Sequence, residues 1–150
     1  MTESVGYRLE QEFTLLSRHT TLAGRRTATR PLEHSAYLLL WRLELGGPMT
    51  LGDLADSFGL DVSTVNRQSA ALIRQGLAER IPDPAGGLAR LLRPTHAGLD
   101  QLESMRTSNA EGVLRLLSDW PREDLDTLVT LLRRLNVAVE EHEGLHWPRD

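Results

Sequence analysis

Residues 60 to 80, LDVSTVNRQSAALIRQGLAER, carry the side chains best suited to chemistry with a partner. At about 100° per residue, Val62, Val65, Ser69, Leu72, Ile73 and Gly76 fall within one arc of a helix. Ser63, Arg67, Ala70, Ala71 and Arg74 fall on the opposite arc, with Thr64, Asn66 and Gln68 toward its edges. The first arc is made to pack, and the second is offered outward. Arginine donates from a planar fork, while Asn and Gln place an amide donor beside an acceptor. Ser63, Ala70 and Ala71 are small enough to let the helix approach a surface closely. These are the groups that read base edges in a major groove, Arg against guanine and Asn or Gln against adenine. A solvated helix face is the bland alternative, and this helix alone leaves both open.

Other chemistry is thinly represented. The stretch HEGLH, residues 142–146, matches the H-E-x-x-H spacing by which a helix presents two histidines to zinc. Its context is wrong, because Gly144 weakens the helix, Pro148 ends it, and too little chain follows to supply a third ligand. No nucleophile elbow, phosphate-binding glycine loop or paired carboxylates occur at a recognisable spacing. The expectation is no catalytic residues, no enzyme, no metal and no cofactor. With no cysteine, disulfides, thiol redox sensing and Cys-type zinc fingers are excluded.

The elements that would position the polar arc can be read on either side of it. Residues 3–28 read as a helix with Val5, Leu9, Phe13, Leu16 and Ala23 on its apolar face. Its end is basic, with Arg18, Arg25, Arg26 and Arg30 uninterrupted by an acid, and Pro31 punctuates. LEHSAYLLLWRLEL follows as an apolar helix closed by Gly46, Gly47 and Pro48. TLGDLADSFGL is a short helix: Thr50 is an N-cap with Asp53 three residues on, Leu51, Leu54, Ala55 and Phe58 share a face, and Gly59 makes the closing turn. Asp61 is placed to cap the next helix, so the two form a helix-turn-helix. GLAERI, PDPAGG and LARLLRPT then read as strand, turn and strand, a wing whose tip reaches toward a minor groove. Thr95 caps a long helix to Trp120, weakened near Gly112. In the last helix Leu125, Leu128, Leu132, Leu135 and Val139 alternate spacings of 3 and 4, a narrow seam of the kind two helices use against each other. A subunit interface is favoured over an intramolecular core stripe.

Charge supports the same division. The chain of 150 residues has net charge −4, and all 17 of its Lys and Arg positions are Arg. Residues 61–95 hold five Arg against three acids, whereas residues 96–150 hold six against eleven. Acidity concentrated in the last third does not exclude nucleic-acid binding by the middle. No run approaches the roughly 18 apolar residues of a membrane span, and the N-terminus lacks a signal-peptide pattern, so a cytoplasmic protein without membrane contact is expected.

From about residue 30 to residue 140 the chain resembles the MarR family of winged helix-turn-helix transcription regulators. The resemblance rests on MTLGDLADSFGLDVSTVNRQSAALIRQGLAER, the wing IPDPAGGLARLLRPT, THAG at the head of the long helix, and LSDWPREDLDTLVTLLRRL. Gly76 and Leu77 with Arg80, and Pro94 and Thr95 with Gly98, stand where the family has its strand-end motifs. It departs at the wing tip, where Gly86, Gly87 and Leu88 replace an Asp-Arg-Arg-like sequence and Arg90 is the nearest substitute.

The resemblance implies a mainly α fold with a small β-wing: a helical dimerisation region from residues 1–30 and 96–150, interwoven with a winged helix-turn-helix over 31–95. It implies a homodimer reading a pseudo-palindromic operator in double-stranded DNA, with Ser63, Thr64, Asn66, Arg67, Gln68, Arg74 and Arg90 as contacts. It further implies a repressor released by a small aromatic or anionic effector, for which Arg18, His19, His34, Tyr37 and Trp41 are candidates: an Arg to pair a carboxylate and aromatics to stack on a ring. The bland alternative makes Arg18 a surface residue and Tyr37 and Trp41 core. The competing function is a metal-responsive or protein-binding winged helix without enzymatic activity, favoured by the missing wing-tip arginines.

Overall fold

The structure, a computed structural model, describes residues 4–26 and 33–149. The Pro31 punctuation and the boundary at residues 30 and 31 lie outside the described residues, as do the side chains of Ala23, Arg25 and Arg26. The fold is mainly helical with one two-stranded sheet, in the order α1 (Val5–Arg26), α2 (His34–Gly46), α3 (Leu51–Phe58), α4 (Val62–Arg74), β1 (Ala78–Pro82), β2 (Arg90–Pro94), α5 (His96–Leu116) and α6 (Arg122–Glu143). It divides into two compact units, Met1–Pro31, whose described part is α1, and Leu32–Asp150.

The helix-turn-helix forms for local reasons. Thr50 Oγ1 accepts the Asp53 N–H at 3.0 Å, satisfying a donor that the first turn of α3 would otherwise leave open. At the other end Gly59 adopts φ 62°, ψ 34°, and the N–H groups of Gly59 and Leu60 return to the carbonyls of Asp56 and Ala55. A side chain at that left-handed position would be strained, which is why glycine ends this helix. The chain then enters α4 through Asp61, whose backbone is extended but whose carboxylate makes no capping hydrogen bond. The entry is held by the main chain instead, Asp61 O accepting from the N–H groups of Thr64 and Val65.

One core sits under this unit. Leu39, Leu40 and Leu43 of α2, Leu54 and Ala55 of α3, Val65 and Leu72 of α4, Leu77 and Ala78, Leu92 of β2, and Leu102 and Met105 of α5 are all buried together. On α4 the packed arc is narrower than its periodicity suggests. Val62 is 52% exposed at the helix entrance. Gly76 lies beyond the end of α4 with φ 71°, where it turns the chain toward β1 and packs no helix face. That turn consumes Gly76 and Leu77, so β1 begins at Ala78, two residues later than the sequence pattern implies.

The strands pair antiparallel with Arg80 opposite Leu92 and Pro82 opposite Arg90, and Met49 adds a bridge to Leu92 on the other edge. Thr95 then starts α5, its hydroxyl accepting the Gly98 N–H at 3.1 Å and donating to Gly76 O. A Cβ at Gly98 would run into the carbonyl oxygen of Leu77, so only glycine lets α5 lie this close to the strand entrance. Gly112 does not interrupt α5, which runs unbroken to Leu116. A mid-helix glycine costs about 1 kcal/mol, yet it removes no backbone donor and so need not break the ladder.

Candidate nucleic-acid interface

Helix α4 stands on Val65, Ser69 and Leu72, all fully buried. Ser63, Asn66, Arg67 and Arg74 are exposed on the opposite side, and Thr64, Ala70 and Ala71 are half-buried at the margins. Thus the structure brings the sequence-derived polar residues onto one helix face. Gln68 is the partial exception, since it is half-buried and helps line a recess of about 60 Å³ with Ser35, Leu38, Leu39, Phe58 and Leu60. Arg67 Nη2 lies 3.5 Å from Thr64 Oγ1, a contact at the limit of hydrogen bonding that leaves the guanidinium able to reach outward.

Sequence reasoning missed one residue of this face. Arg80 of β1 donates from Nη2 to Asn66 Oδ1 at 3.2 Å. The amide oxygen of Asn66 is therefore engaged by a cation from the wing, and a bidentate contact with adenine needs that oxygen. A signal existed in the alternation of AERIP, which places Arg80 on the outward face of β1.

On the wing, Arg90 is exposed at the start of β2, whereas Arg93 is held by Glu79 across the sheet at 2.7 Å. Asp83 Oδ1 accepts the Ala85 N–H and Gly86 has φ 85°, so the tip is a tight turn. Leu88 stands fully exposed beside it. Of the wing arginines, Arg90 and Arg80 are those without a carboxylate partner among the described residues.

The residues considered for an effector fall in both units. Arg18 and His19 are exposed on α1 of the first unit. In the second, His34 is exposed in the first turn of α2, and Tyr37 and Trp41 are half-buried against the core on the following turns, their ring centroids 5.9 Å apart. Trp41 also meets Trp147 edge-on at 5.2 Å, a contact between residues 106 positions apart that no local pattern announces. His142 and His146 do not share a helix face, because α6 ends at Glu143 and Gly144 turns the chain with φ 68°. Among the described residues no helix is long and apolar enough to cross a membrane.

A helix standing on a buried footing with a polar face outward, preceded by a short helix across a three-residue turn and followed by a two-stranded wing, defines a winged helix-turn-helix protein. The comparisons with known proteins agree. A MarR family model matches residues 32–85. YxaD of Bacillus subtilis (strain 168), an uncharacterized HTH-type transcriptional regulator, is 35% identical over 125 residues, 83% of this chain and 87% of its own. A MarR family protein from Bacillus stearothermophilus has the same fold with TM-score 0.79 at 22% identity, over 93% of this chain and 98% of its own. The PcaV transcriptional regulator from Streptomyces coelicolor, solved in complex with its natural ligand, follows with TM-score 0.67 at 21% identity, over 93% and 99%. The chain belongs to the MarR family of winged helix-turn-helix transcription regulators, a DNA-binding class without enzymatic activity.

Proposed function

We propose that this protein is a repressor that binds a pseudo-palindromic site in double-stranded DNA as a homodimer and leaves it when a small aromatic or anionic effector binds. The observation that carries the reading is α4: Val65, Ser69 and Leu72 fix it to the core, and Ser63, Thr64, Asn66, Arg67 and Arg74 are left at its outer face and margins. In this reading Arg67 reads a base pair, Arg74 and Ser63 hold phosphates, Gln68 contributes from the margin, and Arg90 contacts the backbone from the wing. Residues 31–95 form the reading domain, and residues 1–30 with 96–150 the dimerisation region.

Two-fold pairing is supported by α6, whose Leu125, Leu128, Leu132, Leu135 and Val139 seam includes no buried residue. An effector is supported by the ligand found in the PcaV structure, and Arg18, His19, His34, Tyr37 and Trp41 are the residues to examine first.

The test is selection of bound duplexes from a randomised library at several salt concentrations. Arg67→Ala should cost about 1–3 kcal/mol and relax preference at one base pair per half-site, as loss of a bidentate base contact does. Arg90→Ala should weaken all sequences alike and reduce the salt slope by about one per contact. Parental affinity and base preference in Arg67→Ala would remove α4 from the groove.

A further inference from the structure

Beyond α6 the chain turns back on itself. After Gly144 the Leu145 N–H returns to Glu140 O at 3.0 Å, and residues 145–149 are clasped by the helix they have just left. Glu140 Oε2 accepts the backbone N–H of Trp147 at 3.2 Å and Arg149 Nη1 at 2.7 Å, while Oε1 accepts Arg149 Nη2. The two ionic side chains are only 17% and 28% exposed, so the fork is shielded on most sides.

The clasp sets Trp147 against the helix-turn-helix. Its ring lies edge-on to Trp41 of α2 at 5.2 Å and edge-on to Phe58, the last residue of α3, at 5.7 Å. Leu145 reaches the turn itself, its Cδ1 standing 3.0 Å from where a Cβ on Gly59 would be. Phe58 and Gly59 are the residues from which the chain departs into α4, so a wedge here bears on the direction of the reading helix. None of these contacts belongs to the polar face or to the seam.

We propose that Trp147 is a positioning residue for DNA recognition: the strap 145–149 fixes the helix-turn-helix to the end of α6 and thereby sets the half-site spacing that the dimer accepts. The proposal rests on the dimeric DNA-reading function above. The seam holds two copies of α6 together, and the Trp41–Trp147–Phe58 wedge ties each helix-turn-helix to its own α6, in addition to the core that joins it to α5. A firm wedge permits one distance between the two reading helices, and a loosened one permits a range.

The experiment uses the full chain and duplexes enriched from a random library by the parent, rebuilt with the half-site separation varied one base pair at a time. The parent should prefer one separation sharply. Trp147→Ala should bind that duplex about tenfold more weakly, as loss of two aromatic edge contacts allows. It should also accept neighbouring separations almost equally, with dimerisation and base preference within each half-site unchanged. Trp147→Phe should restore the sharp profile, and Glu140→Gln, which leaves the wedge in place but weakens the clasp, should broaden it to a lesser degree. Equal weakening at every separation, or a parental profile in Trp147→Ala, would overturn the proposal. If Trp147→Ala does not fold, a parental profile in Glu140→Gln overturns it. A parent that enriches duplexes but is indifferent to separation refutes the strap alone, whereas one that enriches none refutes the DNA-reading proposal and the strap with it.

Discussion

The two ends of helix α5 are in different states. Its first three turns bury Gly98, Leu102 and Met105 against α2 and the wing, while its last turns leave Val113, Leu114 and Leu116 more than half exposed. The same contrast separates α4 from α6. Over 13 residues α4 buries Val65, Ser69 and Leu72 completely, and over 22 residues α6, with its more regular seam, buries nothing completely. Periodicity shows which side of a helix wants to leave water, but not whose chain will cover it. The reading half closes its core within one chain, and the other half leaves its apolar face uncovered in the single chain, where the proposed function sets a second copy.

The largest effect should come from the seam. Leu128→Asp with Leu135→Asp places two carboxylates on a face that is only half covered in the single chain, so the protomer should keep its helix content. Brought against a second copy, the same carboxylates would be desolvated without partners. Sedimentation should report a folded monomer, and affinity for a two-half-site duplex should fall by at least about a hundredfold, since joining two sites is worth that much. An unchanged dimer would remove the seam from the interface and break the comparison.

Glycine sharpens it. Gly98→Ala should destabilise by about 2 kcal/mol or more, because the new methyl meets the Leu77 carbonyl and backbone on both sides must shift. Gly112 lies on the same helix, where a Cβ would find only the end of the Arg115 side chain at 3.9 Å. Gly112→Ala should therefore stabilise the chain by up to about 1 kcal/mol through helix propensity. Thermal melts of the two variants should move in opposite directions. Loss of the dimer in Gly112→Ala would place a partner's backbone against that position.

Much of the packed half was legible because its signals are local. Thr50 with Asp53, Gly59, and Thr95 with Gly98 each act within a few residues, and each makes the hydrogen bond or turn expected of it. Asp61 was expected to cap with its side chain and does not, because two main-chain bonds already hold that entrance. What the sequence could not announce are encounters between distant segments. Arg80 on Asn66 depends on how the wing lies against α4, and Trp147 between Trp41 and Phe58 depends on the chain reversing at Gly144. Pattern reading weighed the surroundings of Gly144 only as a weak place in a metal motif. Its positive φ instead returns residues 145–149 to the reading unit.

That return gives the α6 end a pH dependence that can be placed. The hydrogen bond from Arg149, opposed by partial burial and aided by the Trp147 N–H and the neighbouring His146, lowers the Glu140 carboxyl from 4.5 to about 2. A lowered folded-state value means the clasp contributes its full stability above pH 4.5 and loses it as the pH falls toward about 2. Across neutral pH the strap should stay fastened. An acid scan of tryptophan fluorescence should show a step in that acidic window for the parent and none for Glu140→Gln. A step at a pH well above that window would assign the transition to another group.

The smallest effect lies at the foot of α4. Ser69 is fully buried, and its Oγ has no hydrogen-bond partner among the described residues, although a serine within a helix can bond back to the carbonyl four residues earlier. An unpaired buried hydroxyl has lost water and gained nothing, and alanine is also the better helix former. Ser69→Ala should therefore stabilise the protein by about 1 kcal/mol, a rise of roughly 2–4 °C in Tm for a chain of this size. The outer arc of α4 is untouched by the change, so the base preference selected from a random library should be parental. Destabilisation would mean that Ser69 is satisfied and anchors α4 through a polar contact. A changed base preference with unchanged stability would mean that the footing of α4 sets its angle in the groove, and that reading and packing are not separable on this helix.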